Sequence, residues 1–174
     1  MMMTPLLRKI ALIAHIVTSV GSLGAVAGFL ALSVAGLASE DTQTITSVYV
    51  AMDVIARSVI LTLVLASLMT VLIQSLGTPW GLFRHYWVLA KLLLTTPTVI
   101  VLVLQMDGIA YIATTAAETA LSSADFLGLR RSLVVHAAGG LAVLLVATVL
   151  SVYKPRGLTR YGWRRSQSSE RERT

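Results

Sequence analysis

The sequence predicts an all-α protein: an integral membrane, up-and-down four-helix bundle with both chain ends in the cytoplasm. Three observations predict it. Of the 174 residues, 56% are hydrophobic and only 13% are charged, against roughly 45 to 50% apolar in a soluble domain. The apolar residues gather into four runs, each longer than the roughly 20 residues needed to cross a hydrocarbon core. The basic residues collect beside one set of run ends.

The first run extends from about Ile10 to Leu37, the second from about Val48 to Leu76, the third from Tyr86 to about Ile112 and the fourth from about Ser132 to Tyr153. None shows the alternation of a barrel strand, and an open strand would leave backbone polar groups unpaired in lipid, so each run is predicted to be a helix. The connections are too short to hold a soluble domain, which makes residues 1–155 one transmembrane domain. Arg8 and Lys9 before the first run, with Gly36-Leu37-Ala38 near its end, resemble a signal peptide. The run far exceeds the roughly 7 to 15 residues of a signal's apolar segment, so a retained span is predicted. The tail 156–174 is rich in Arg, Ser and Glu and reads as a disordered cytoplasmic anchor that touches anionic lipid.

The net charge is +6 and the pI near 10.2. Arg8, Lys9, Arg84, Lys154, Arg156, Arg160, Arg164, Arg165, Arg171 and Arg173, ten of the 14 basic residues, fall on one side of the four runs. The other two connections carry Glu40, Asp41, Glu118 and Asp125, opposed only by Arg130 and Arg131. The positive-inside rule therefore places both ends in the cytoplasm of a bacterial cell, with the chain multi-pass in its plasma membrane. Because the charge sits at span ends, the expected partner is the lipid bilayer and not nucleic acid. The chain has no cysteine, which excludes disulfides, thiolate metal sites, iron–sulfur ligation and thioether attachment of haem. Trp80, His85, Tyr86 and Trp87, in and after the second connection, suit an aromatic belt at the interface.

Ionisable residues inside spans are costly and mark function by default. Here they form two layers. His15 and Lys91 share a depth of roughly 7 to 8 Å inside the cytoplasmic boundary, counted at 1.5 Å per residue. His15, Ser19 and Ser22 lie on one face of the first helix beside a strip of Gly21, Gly24 and Gly28, which lets a helix or a flat ring approach closely. Lys91, Thr95 and Thr98 repeat that spacing on the third helix, where Pro97 is expected to bend it. Lys91 either snorkels to the headgroups or faces the interior, and His15 is either an interior hydrogen-bonding group or a metal ligand.

The second layer holds Asp53 and Arg57 on the second helix, Asp107 on the third and His136 on the fourth, all expected near the opposite boundary. Asp53 and Arg57 are spaced to pair along one face, although Arg57 also suits an acidic group such as a haem propionate. His136 precedes Gly139 and Gly140, a bulk-free turn that fits either close helix packing or a porphyrin. His15 and His136 differ in depth by about 15 Å on this count, too far to share one iron.

The pattern around His15-Ile16 with Gly21 and Gly24, the run Tyr86-Trp87-Val88-Leu89-Ala90-Lys91 and His136 resembles the copper-resistance-D-like superfamily of bacterial membrane proteins. Within it the chain looks most like an uncharacterised integral membrane family and, more distantly, like the HemJ-type protoporphyrinogen oxidases, over about residues 8 to 160. In those oxidases an early histidine of the first helix and a lysine entering the third are associated with haem b and activity, and His15 and Lys91 stand at those positions. The third helix departs from them at Thr95-Thr96-Pro97.

Three functions follow as expectations. The first is a b-type haem redox protein, oxidoreductase-like, that serves a quinone or porphyrin partner. His15 would be its axial ligand, Lys91 a second ligand or proton partner, and His136 and Arg57 further cofactor contacts. The second is a non-catalytic scaffold or assembly partner, or a homo-oligomer, whose glycine strips are packing faces. The third is metal or ion transport, which Met52, Met69 and Met106 serve poorly because they are scattered over the helices.

Overall fold

The computed structural model describes residues 3–77, 85–118 and 124–153, together with residues 157, 159 and 163. It contains α1 (Pro5–Ala38), α2 (Thr42–Ile55), a π-helical turn (Ala56–Ile60), α3 (Leu61–Gly77), α4 (Tyr86–Glu118) and α5 (Ala124–Tyr153). The π turn joins α2 and α3 into one rod, so there are four rods. The segments Pro5–Ala38, Thr42–Ser75, Tyr86–Thr115 and Phe126–Tyr153 are each long and apolar enough to cross a membrane. The protein is thus an all-α, multi-pass integral membrane protein.

The helices outrun the apolar runs because backbone hydrogen bonding continues through polar residues until a cap stops it. Thr4 caps α1, accepting from the Leu7 amide at 3.4 Å with Pro5 in the first turn. Asp41 caps α2, its Oδ2 accepting from the Thr44 amide at 2.8 Å and from the Thr44 hydroxyl at 2.6 Å. These bonds to the ionised form, the hydroxyl's first, hold the Asp41 carboxyl below its usual range. α4 runs unbroken through Pro97.

Each rod is antiparallel to the next. α1 packs along α3 and α5, and α4 packs on α2 and α5, whereas α3 and α4 touch only sparsely. The core gathers in one half of the bundle, the half distant from the start of α1 and the end of α5. There Phe29, Ile45, Tyr49, Met52, Ala56, Ile60, Met106, Ile109, Ile112, Leu133 and Ala137 interlock. The outward faces carry Val17, Leu104 and Val135, all exposed in the isolated chain and suited to acyl chains.

Residues 78–84, with Trp80 and Arg84, and the cations Lys154, Arg156, Arg160, Arg164, Arg165, Arg171 and Arg173 lie outside the described residues. Of the tail, the Gly157 carbonyl accepts from the Tyr86 amide at 3.4 Å, and the His85 and Trp87 rings lie tilted, 6.3 Å apart.

Candidate functional site

The seam between α1 and α3 is a ladder of polar contacts in antiparallel register. Gln74 Nε2 donates to the Ala11 carbonyl at 2.8 Å, His15 Nδ1 meets Thr70 Oγ1 at 3.1 Å, and Ser19 Oγ meets Ser67 Oγ at 2.9 Å. One turn further, Gly21 admits the Leu63 side chain, which lies 3.1 Å from where a Cβ would stand. Hydroxyls on one helix thus satisfy polar groups on the other where no water competes.

Proton counting fixes the His15 tautomer. Thr70 Oγ1 donates its single proton to the Ser67 carbonyl at 2.8 Å, so it can only accept from the imidazole. Nδ1 therefore carries the proton, and in the neutral ring Nε2 keeps the lone pair.

Lys91 faces the bundle interior: its Nζ donates to Ser151 Oγ on α5 at 2.6 Å. Ser151 spends its own proton on the Ala147 carbonyl. The Thr95 and Thr98 hydroxyls likewise turn back to the Lys91 and Leu94 carbonyls, and Ser22 turns back to the Thr18 carbonyl. The Arg130 bond to the Gly36 carbonyl sets the α1–α5 register. Equal lengths of helix separate Gly36 from His15 and Arg130 from Ser151, so His15 lies level with Ser151 and hence with Lys91, as their shared depth predicts.

The second layer forms a different set of contacts. His136 Nδ1 approaches the Ser132 carbonyl at 2.7 Å, which requires a proton on that nitrogen. Gln105 Nε2 lies 2.8 Å from the same Nδ1, and flipping the amide, whose nitrogen and oxygen assignments are interchangeable, presents an acceptor to that proton. In the neutral tautomer with Nδ1 protonated, the lone pair is on Nε2. From Lys91 to Gln105 along α4 is about 21 Å, at 1.5 Å per residue, so one iron cannot be held by both histidines.

Arg57 Nε donates to Asp53 Oδ1 at 2.9 Å, and Nη2 donates to the Met106 carbonyl of α4 at 3.3 Å. Arg57 lies within the π turn. Asp107 is exposed and takes part in neither contact. Along their helices these groups lie well inside the ends. Asp53, Asp107 and His136 are each about three turns inside their helix ends, because α2, α4 and α5 begin or end beyond the apolar runs.

One cavity connects the two layers, with a volume of about 340 Å³, within the usual range of ligand pockets. His15, Ser19, Ser67, Lys91, Thr95 and Ser151 line one end, Gln105 and His136 the other, and apolar side chains the length between. The packed core closes it at Phe29, Ile60, Ile109 and Leu133. Arg57 is not among its lining residues. Among the described residues no group of three or more His, Cys, Asp or Glu is placed to hold a metal ion.

Arg130, which sequence reasoning treated only as a charge beside a span, is 4% exposed. Its Nε donates to Tyr49 Oη at 3.1 Å, and its Nη2 donates to the Gly36 carbonyl and, at 3.5 Å, to the Ser39 carbonyl. It lies over the Tyr49 ring, 5.9 Å from the centroid. The available signal was a cation retained on the side that the positive-inside rule leaves poor in cations. Of the predicted glycine strips, a Cβ at Gly24, Gly28, Gly139 or Gly140 would meet nothing within 4 Å, so they are not packing faces within one chain. No family model, curated protein or solved structure matches the chain.

Proposed function

We propose that this membrane protein holds a b-type haem inside its bundle, with His15 as the axial ligand, and that it sits in a bacterial plasma membrane with both ends in the cytoplasm. The observation that carries the reading is the His15 tautomer. Thr70 anchors Nδ1–H, which leaves the lone pair on Nε2, and His15 lines the cavity; a histidine ligates a metal in this tautomer while a neighbouring group fixes its ring. The cavity's apolar lining suits a macrocycle, and one imidazole is a sufficient donor set for a single haem iron. Lys91 stands level with His15 as a second ligand or proton partner, while His136 would contact the cofactor's far side or a second site. When bound, haem would supply one-electron redox chemistry toward a quinone or porphyrin partner. The resemblance to the copper-resistance-D-like superfamily and the HemJ-type oxidases at His15 and Lys91 supports the same reading.

The test is the reduced-minus-oxidised absorption spectrum of protein purified from cells supplied with a haem precursor. A b-type spectrum is expected for the wild type and for His136→Ala, and its loss is expected in His15→Ala. A folded, colourless wild type sinks the haem reading. Gly24, Gly28 and Gly139 favour a second reading, a scaffold or oligomer without cofactor, because their open faces permit close approach of another helix. Metal transport draws little support, since Met52 and Met106 are packed into the core.

A further inference from the structure

Among the residues lining the cavity, Lys91 is the only lysine or arginine, and no carboxylate is among them. The described ion pair, Asp53 with Arg57, involves neither Lys91 nor the cavity. The ammonium donates one bond to Ser151, and two further protons have no acceptor among the described residues. A membrane-embedded cation without a counter-ion is costly, and the lining of this chamber supplies Lys91 with none.

The chamber also has a side. Ser67, Leu68 and Val71 of α3 and Lys91, Thr95 and Thr98 of α4 line it, and among the described residues no hydrogen bond joins these two sets. Around the chamber α1 is linked to α3 through His15 and Thr70, α4 to α5 through Lys91 and Ser151, and α1 to α5 through Arg130 and Gly36, while the second rod is bonded to α4 only further along, through Arg57 and the Met106 carbonyl, among the described residues. The α3–α4 seam beside Lys91 is thus sparsely packed and free of hydrogen bonds among the described residues.

We propose that the cavity takes a carboxylate-bearing amphiphile from the bilayer, entering sideways between α3 and α4, with its carboxylate on Lys91 and its apolar body along the chamber. The proposal rests on the cavity being a ligand site, as above, but not on iron. A porphyrin propionate and a long-chain fatty acid share this chemistry, and the test separates them.

Binding is measured by fluorescence in zwitterionic phosphatidylcholine nanodiscs, with protein-free nanodiscs as background. The probes are metal-free protoporphyrin IX against its dimethyl ester, and cis-parinaric acid against its methyl ester. At least one acid is expected to bind wild type tenfold or more tightly than its ester, and whichever pair shows the preference identifies the source. Lys91→Met is expected to bring that ratio close to one with ester binding retained, and Lys91→Arg to preserve it. Equal binding of acid and ester in both pairs overturns the proposal without recourse to any variant, as does a preference that survives Lys91→Met. An acid preference in a protein that shows no haem spectrum leaves this proposal standing and removes the haem reading alone.

Discussion

Arg130 shows how one residue can hold three helices. Its guanidinium bonds Tyr49 of α2 and the carbonyls that close α1, all from α5, at a helix C-terminus where a cation is favoured. Arg130→Ala leaves these acceptors buried and is expected to cost about 2 to 4 kcal/mol, whereas Tyr49→Phe removes one bond and costs about 1 kcal/mol. Reversible unfolding in mixed micelles, followed by circular dichroism, checks the ranking. At the surface, Asp41 obeys a different rule. Its carboxyl is held below the usual value of 3.8 by the Thr44 hydroxyl and then the Thr44 amide, so its capping is complete above that value and fades as pH falls through the lowered one. In a carbon-13 titration the Asp41 midpoint should lie under 3.8, and Thr44→Val should move it upward.

Among the helices, glycines of equal sequence signal have opposite roles. A Cβ at Gly36 would stand 3.1 Å from the Tyr49 ring and from Val48. Tyr49 is fully buried and tethered to Arg130, so it cannot retreat, and Gly36→Ala should destabilise the bundle by about 1 to 3 kcal/mol. Gly24→Ala and Gly28→Ala meet open space and should be neutral or stabilising by up to about 1 kcal/mol within a single chain. Thermal melts of the three variants decide this. Loss of an oligomer from Gly28→Leu in cross-linking or light scattering would in turn favour the scaffold reading.

The whole molecule is divided into a packed half and a hollow half. The Tyr49, Met52, Ile109 and Ile112 cluster fixes the helices at one end, and rods so fixed can stay apart at the other, where the cavity lies. The proposed orientation puts the hollow half toward the cytoplasm. The absence of native cysteine makes this directly measurable: in intact cells an impermeant maleimide should label Ser39→Cys and spare Thr4→Cys, and the reverse pattern inverts the topology.

Four spans and their helical form were legible in the sequence, because crossing lipid is decided by summed transfer free energy and by internal backbone pairing, both local properties of a run. The Asp53–Arg57 pair was legible for the same reason, since the two residues share one face of one rod. Hydropathy could not show how far the helices continue past the apolar runs, because capping by Asp41 and Thr4 depends on hydrogen bonds and not on apolarity. Nor could it assign Lys91 to the interior, choose the His15 tautomer, or distinguish Gly36 from Gly24. Those depend on which residue of one rod lies opposite which residue of another. That register is set by contacts far apart in the chain, of Arg130 with Gly36 and Thr70 with His15, and only the tertiary structure decided it.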